Sequence, residues 1–332
     1  MKRARSRLPV LIALATLLAP ANAGADQVGG VVRLFVEKPG TSEAEPEAEV
    51  QVKLKTKRRA GTRAFVKVEG RYYERDLRLK DAYIDHKVDD GLRLRLGIDK
   101  KTLGLEYQES SDERLTLHRS HAYQFLETLG LAGRQLELRV LTRPERGTSG
   151  VYADFTLGMD GSRNQNALVS LRHRVGPFGW GGWGLAERRR IEHTYLPVLA
   201  GVGSLWIDIG AFRVATELFA GVDPLSTEFE RTHGDGHTVA FYGPRGELAA
   251  RLGLSERWQL EPFLQGSLLA RDAQEPSAGH QAQALLGLNL RSKRLVFRTS
   301  AELVAEQSSV AGEPTESLQR RARYHASAAL SF

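Results

Sequence analysis

Lys53, Lys55 and Lys57 recur at every second position, as do Arg93 and Arg95, and further bases stand at Arg63, Lys67, Arg78, Lys80 and Arg139. A period of two belongs to an extended strand, so these cations fall on one side of a sheet and not on one side of a helix. Facing a confined, water-filled bore, rows of Lys and Arg lower the electrostatic barrier for anions and raise it for cations. A phosphate would meet Arg as a bidentate partner and Lys as a mobile point charge. The opposing reading is that Glu69, Asp81, Asp85, Glu137, Asp154, Glu217 and Glu302 pair with these bases and merely fill an interior. The excess of bases over acids on the early strands favours an anion path of modest selectivity.

Other constellations carry less chemistry. His233, Asp235 and His237 offer two imidazoles and a carboxylate on a glycine-rich stretch, short of the four ligands of a closed metal site, so neither metal nor cofactor is expected. Ser170 with His173, and Ser327 with His325, could be drawn as nucleophile and base. Proximity along a strand does not assure the contact that activates a nucleophile, so no catalytic residue is assigned. A lipid hydrolase at the membrane edge and a closed structural or adhesive barrel stand as the alternatives to a channel. There is no phosphate loop or nucleotide fingerprint, and the bases are spread among 40 acids without an aromatic-interleaved patch, so no nucleic-acid partner is implied.

The elements that would position the cations are strands. Leu92, Leu94, Leu96 and Ile98 oppose Arg93 and Arg95; Val50, Val52 and Leu54 oppose Gln51, Lys53 and Lys55; Ala64, Val66 and Val68 oppose Arg63, Lys67 and Glu69. The pattern continues through Leu136, Leu138 and Val140 and through Val151, Ala153, Phe155 and Leu157 to a closing strand in which Tyr324, Ala326, Ala328, Leu330 and Phe332 share a face. A strand greasy on one side and wet on the other suits a wall between lipid and water. The expected fold is therefore all-β: a transmembrane antiparallel β-barrel of about 16 strands, with 14 and 12 as alternatives, over residues 26–332 as one domain. Mean hydropathy of −0.34 does not argue against it, because half of each spanning strand faces water or the lumen and external loops are polar. The absence of cysteine is compatible with a wall closed by backbone hydrogen bonds.

Residues 1–25 read as a cleaved signal peptide: Lys2, Arg3, Arg5 and Arg7 precede an apolar run from Leu8 to Leu18, with small-residue cleavage sites after Ala23 or Ala25. Its removal lowers the formal charge from +7 to +3. Export and amphipathic strands together imply the cell outer membrane, in contact with lipid and lipopolysaccharide. Tyr324, Leu330 and the terminal Phe332 form the assembly signal that the barrel-assembly machinery would read. Tyr72, Tyr73, Trp180, Trp183, Tyr195, Trp206, Tyr242, Trp258 and Tyr324 are candidate girdle residues at the headgroup level. Glu37 to Glu49, acidic and bearing Pro39 and Pro46, reads as a loop, and residues 28–36 as a first strand or a lead-in to it. Near Lys80 or Asp81 the alternation changes phase, as a bulge would make it, and Pro262 interrupts an otherwise regular strand.

Residues 100–133 separate two strands by far more than a hairpin needs. This stretch carries Lys100, Lys101, Arg114 and Arg119, and a mixed-charge segment of that length can enter the bore and narrow it, or lie over its mouth; residues 114–129 read as a hairpin or a short helix. The run from Leu79 through Asp89, Asp90, Gly91 and the Leu/Arg alternation to Gly104, Leu105 and Glu106 resembles the phosphate-selective porin O and P family, most closely over residues 76–120. The resemblance implies a 16-stranded, usually trimeric channel passing small anions such as phosphate.

Overall fold

The computed structural model describes residues 27–39, 45–71, 76–108, 114–116, 118–142, 150–191, 194–234, 236–272, 279–308 and 317–331. The leader at 1–25, Tyr72, Tyr73 and Phe332 lie outside them. Sixteen strands follow one another: β1 (Gln27–Pro39), β2 (Glu45–Lys55), β3 (Thr62–Arg71), β4 (Asp76–Lys87), β5 (Leu92–Lys101), β6 (Gly133–Thr142), β7 (Gly150–Met159) and β8 (Gln165–Val175), then β9 (Phe178–Ile191), β10 (Thr194–Ile209), β11 (Phe212–Val222), β12 (Ala240–Ala250, resumed at Leu252–Gly253), β13 (Gln259–Ala270), β14 (His280–Arg291), β15 (Leu295–Ser308) and β16 (Ser317–Ser331). Each pairs antiparallel with the next, and β1 pairs with β16 from Val31↔Ser331 to Pro39↔Arg323, which closes the sheet. Closure removes the edge whose unpaired N–H and C=O groups lipid cannot satisfy.

The alternation decides which side chains meet lipid. Leu94 and Leu96 are 38 % and 57 % exposed on the outer face, whereas the Arg95 side chain between them is only 12 % exposed and lies within the bore. Leu77, Ile84, Leu136, Phe155, Leu199, Leu218, Leu264 and Leu303 are likewise outward and exposed. Buried charge fills the interior, including Arg33, Glu69, Asp85, Arg139, Glu187, Arg245 and Glu302. This is the inverse of a water-soluble fold, and it is stable because the outer solvent is hydrocarbon.

Local chemistry accounts for the departures from strict alternation. Lys67 pairs with Asp81 and Val68 with Leu79, so Lys80 is the extra residue of a bulge, and Lys80 and Asp81 both turn inward. β12 breaks after Ala250, which stands opposite Pro262, whose nitrogen has no hydrogen to donate, while toward β11 Arg251 N–H still bonds to Ala211 O. Strand β1 is a full member of the wall, and strands run to Pro39 and again from Glu45, so most of the expected 37–49 loop is sheet. Trp183 is not a girdle residue: at 4 % exposure it points inward, while Trp180, Tyr195, Tyr242 and Tyr324 are outward.

Connections at the end bearing the termini are short, as at 88–91, 176–177, 210–211 and 292–294. The opposite end carries the longer ones, including residues 102–132 and the 223–239 segment with α3 (Pro224–His233). Long loops face the exterior in outer-membrane barrels, which makes the end bearing residues 102–132 and 223–239 the outer one.

Candidate functional site

The segment between β5 and β6 folds into the barrel. It contains a single turn, α1 (Leu105–Gln108), and α2 (His121–Thr128), whose backbone polar groups need internal partners as any buried helix does. Leu103, Tyr107, Tyr123, Leu126, Leu129 and Leu131 are buried against Leu168, Trp183, Leu185, Val198, Phe219 and Phe241, inward residues of β8–β12. That stretch of inner wall is apolar because it receives the loop and not water. Gly104 is required at the entry: its φ is +88°, and a Cβ there would stand 1.7 Å from the Tyr123 hydroxyl oxygen.

Polar bonds fix the loop at its base, its centre and its far end. At the base Lys101 Nζ donates to Gly130 O and to Glu187 Oε2, both at 2.9 Å. In the centre Glu217 Oε1 accepts from Leu105 N at 2.7 Å and from Tyr123 Oη at 2.6 Å. Glu106 accepts from Ser120 N and Oγ at 2.8 and 2.7 Å. Arg245 joins Glu106, Glu217 and Glu247 at 3.2, 2.9 and 2.7 Å. On the far side of the bore Asn289 Nδ2 donates to Leu115 O at 3.0 Å, His121 N donates to Gln283 Oε1 at 2.9 Å, and His121 Nε2 lies 3.0 Å from Glu302 Oε1. The loop leaves the wall at β5 and reaches β14, so it crosses the lumen.

What the loop leaves open is the charged half of the bore. A cavity of about 430 Å³ lies between α2 and strands β1–β4, lined by nine Lys or Arg against four Glu. The bases are Arg33, Lys67, Arg71, Lys80, Lys100, Arg114, Arg119, Arg134 and Arg323; the acids are Glu49, Glu69, Glu127 and Glu302. A second cavity of about 310 Å³ is lined by Arg95, Lys100, Arg139 and Arg172 with Asp81, Asp99 and Asp154. Lys100 borders both, which places it between them. His118 packs edge-on against Phe35 and His325 in the first cavity. Burial, reinforced by His325 and Arg114, pushes its imidazole down to about 3.

The cations expected from the sequence divide accordingly. Lys67 and Lys80 line the larger cavity and Arg95 and Arg139 the smaller. Lys53, Lys55, Lys57, Arg63, Arg78 and Arg93 line neither. Arg63 lies 3.5 Å from Asp85, which also holds Arg58 and Arg95; Arg78 is half-exposed beside Asp76. Of the loop bases, Lys100, Arg114 and Arg119 reach the cavity, with Arg119 stacked 4.0 Å over Tyr107. Lys101 differs from the expectation of a constriction cation: it is 1 % exposed and serves as a tether.

Arg33, Arg71, Arg134, Arg323 and Arg172 were not singled out in the sequence. Arg33, Arg71, Arg172 and Arg323 sit at inward positions of their strands, so extending the alternation to β1 and β16 would have found Arg33 and Arg323; Arg134 has the parity of the outward Leu136 and Leu138 and reaches Asp81 from the end of β6, which alternation does not indicate. Pairing is as extensive as the opposing reading required. Glu69 binds Lys80 at 2.7 Å, Asp81 Arg134 at 3.0 Å, Glu137 Arg139 at 2.7 Å and Asp154 Arg172 at 3.1 Å. The interior is a network in which cavity cations exceed cavity acids.

The catalytic alternatives do not assemble. Ser170 faces inward and bonds to Asp154 at 3.4 Å, while His173 faces outward against Trp180. Ser327 shares the inward face with His325, yet its hydroxyl has no hydrogen-bond partner among the described residues, and His325 Nε2 binds Glu302 at 2.9 Å. His233 stacks on Phe229, and His237 turns to Asp272 at 3.4 Å. Among the described residues there is no cluster of three His, Asp or Glu arranged to hold a metal.

No family model and no curated protein sequence matches this chain. Solved structures do. OmpF of Salmonella typhi, determined in complex with daunomycin, aligns at 12 % identity over 94 % of this chain and 99 % of that one, with a TM-score of 0.62. The outer membrane channel DcaP of Acinetobacter baumannii aligns at 10 % identity over 94 % and 99 %, with a TM-score of 0.59. The trimer form of OmpT, an outer membrane protein of Vibrio cholerae, aligns at 9 % identity over 92 % and 98 %, with a TM-score of 0.63. At such identities the likeness is one of fold, and the chain has the closed 16-stranded antiparallel barrel of outer-membrane proteins.

Proposed function

We propose that the protein is an outer-membrane porin, a passive channel for small solutes that favours anions, phosphate among them. The observation carrying this reading is the cavity beside the inserted loop, where nine bases meet four acids inside a closed barrel. Confinement strengthens their field, so a permeating anion replaces part of its hydration by Arg and Lys contacts while a cation meets a barrier. Channels among the structural neighbours support the general class. The phosphate preference rests on the resemblance over residues 76–120 and on the arginines. Export through a cleaved 1–25 leader, insertion through the barrel-assembly machinery and a homotrimeric state belong to the same proposal; the trimer form of one neighbour supports the last. Swelling of liposomes containing the purified barrel tests it. Entry of small sugars with faster entry of carboxylate or phosphate salts is expected; an impermeable barrel, or faster entry of cationic amino-acid derivatives, would contradict it.

A further inference from the structure

The outer wall carries a feature that conduction does not use. On the lipid face Val169, Gly184, Gly201, Ala220 and Tyr242 are consecutive cross-strand partners from β8 to β12. The three small residues form a floor between the exposed Val169 and Tyr242. One step toward the exterior, Leu157, Ala167, Ala186 and Leu199 form a second such row. Together they shape two adjoining concavities of about 740 and 590 Å³, sharing Ala167, Ala186 and Leu199.

The groove ends in positive charge. Arg188 and Arg190 follow Ala186 on the outward face of β9, and Arg188 sits 3.9 Å over the Tyr195 ring. Arg163, exposed at φ +64°, crowns the adjacent turn, which is fixed by Asp160 Oδ1 accepting from Ser162 N and Asn164 N at 2.9 Å. Asn164 Oδ1 in turn accepts from Arg190 N at 2.9 Å. The nearby described acids, Asp160 and Glu187, are directed inward to Lys101. A lipid-facing arginine is unfavourable in hydrocarbon and becomes favourable at the interface when it meets phosphate, which its fork binds in a bidentate manner.

We propose that this groove is a binding site for a phosphorylated, multiply acylated glycolipid of the outer leaflet, that is, lipopolysaccharide. Acyl chains occupy the small-residue floor, and the arginines, preorganised by Tyr195 and the 160–164 turn, hold the phosphates. The site depends on the barrel's orientation and not on whether the bore conducts.

Native mass spectrometry and titration of the purified full-length barrel with bis-phosphorylated lipid A test the site. One lipid per barrel retained against detergent is expected. The R188Q/R190Q pair should weaken retention about tenfold or more, the consequence of losing charge-assisted hydrogen bonds. The G184L variant acts separately, since a Cβ at Gly184 meets nothing within 4 Å and the leucine fills the groove without disturbing the wall. It should reduce retention with the arginines intact, and heat-modifiable electrophoretic mobility should show both variants folded. Equal binding by the variants, equal binding of dephosphorylated lipid A, or equal retention of phosphatidylglycerol would each overturn the assignment.

Discussion

The inserted loop is held by an apolar face and by a polar network, and the two can be separated by mutation. Leu126 and Leu131 are essentially fully buried between the loop and β8–β12. Truncating each to alanine removes about 2–5 kcal/mol, so the double variant loses roughly 4–10 kcal/mol of insertion energy. Glu217→Gln keeps the shape and one acceptor for Leu105 N–H or Tyr123 Oη, and leaves Arg245 with Glu106 and Glu247. Its cost is that of a weakened buried hydrogen-bond set, about 1–3 kcal/mol. L126A/L131A should therefore release the loop, and E217Q should not. Single-channel recording would show larger, noisier steps for the double variant, and trypsin would cut at Arg114 or Arg119 once the segment leaves the bore. Wild-type conductance in L126A/L131A, with enlarged conductance in E217Q, would refute the claim that apolar burial dominates.

Acidification should act on the same segment through His118. Its folded-state value, about 3, lies below the ordinary imidazole value, so the released state binds more protons as pH falls below about 6.5. Stability of the inserted loop is thus full above about 7 and declines between about 6.5 and 3. Tryptic cleavage at Arg119 after brief exposure to pH 4 should exceed that at pH 7.5 in wild type but change less in His118→Phe; identical pH responses would remove His118 as the cause. Gly104→Ala forces a left-handed backbone onto a side chain facing Tyr123, a strain of about 1–3 kcal/mol, and should raise open-channel noise without altering the barrel's heat-modified mobility. Unchanged noise would mean that the loop entry relaxes freely. Asp85→Leu removes the carboxylate shared by Arg58, Arg63 and Arg95 and, among the described residues, leaves only Arg95 with a second acid, Asp99; breaking such a buried set costs about 3–5 kcal/mol. Its thermal unfolding midpoint should fall, and an unaltered midpoint would show these pairs to be energetically idle.

The wall was legible because lipid outside and water inside impose a two-residue period that no helix shares, and Leu92 to Ile98 display it almost without interruption. The phase change at Lys80 was readable for the same reason, since a bulge leaves an odd residue in an even pattern. Two things could not be read. Trp183 has the composition of a girdle residue, and only the loop packed against it explains why it is inside. The apolar inner wall of β8–β12 breaks the polar-inside rule because its solvent is α2, a tertiary contact with no local signature. The cavity cations illustrate the limit on sites: alternation puts Lys53 and Lys67 on one face, where they are direct cross-strand partners, yet only Lys67 borders the cavity, a difference that depends on the position of the loop and not on the pattern.

Reversal potential in a salt gradient across a planar bilayer tests the central claim most directly. With the purified barrel inserted, discrete open steps and a potential of the sign set by anion flux are expected, shifting toward zero when Lys67, Lys80 and Arg134 are neutralised together. A barrel that never opens, or one whose potential has the cation sign, would contradict a bore governed by its excess of bases.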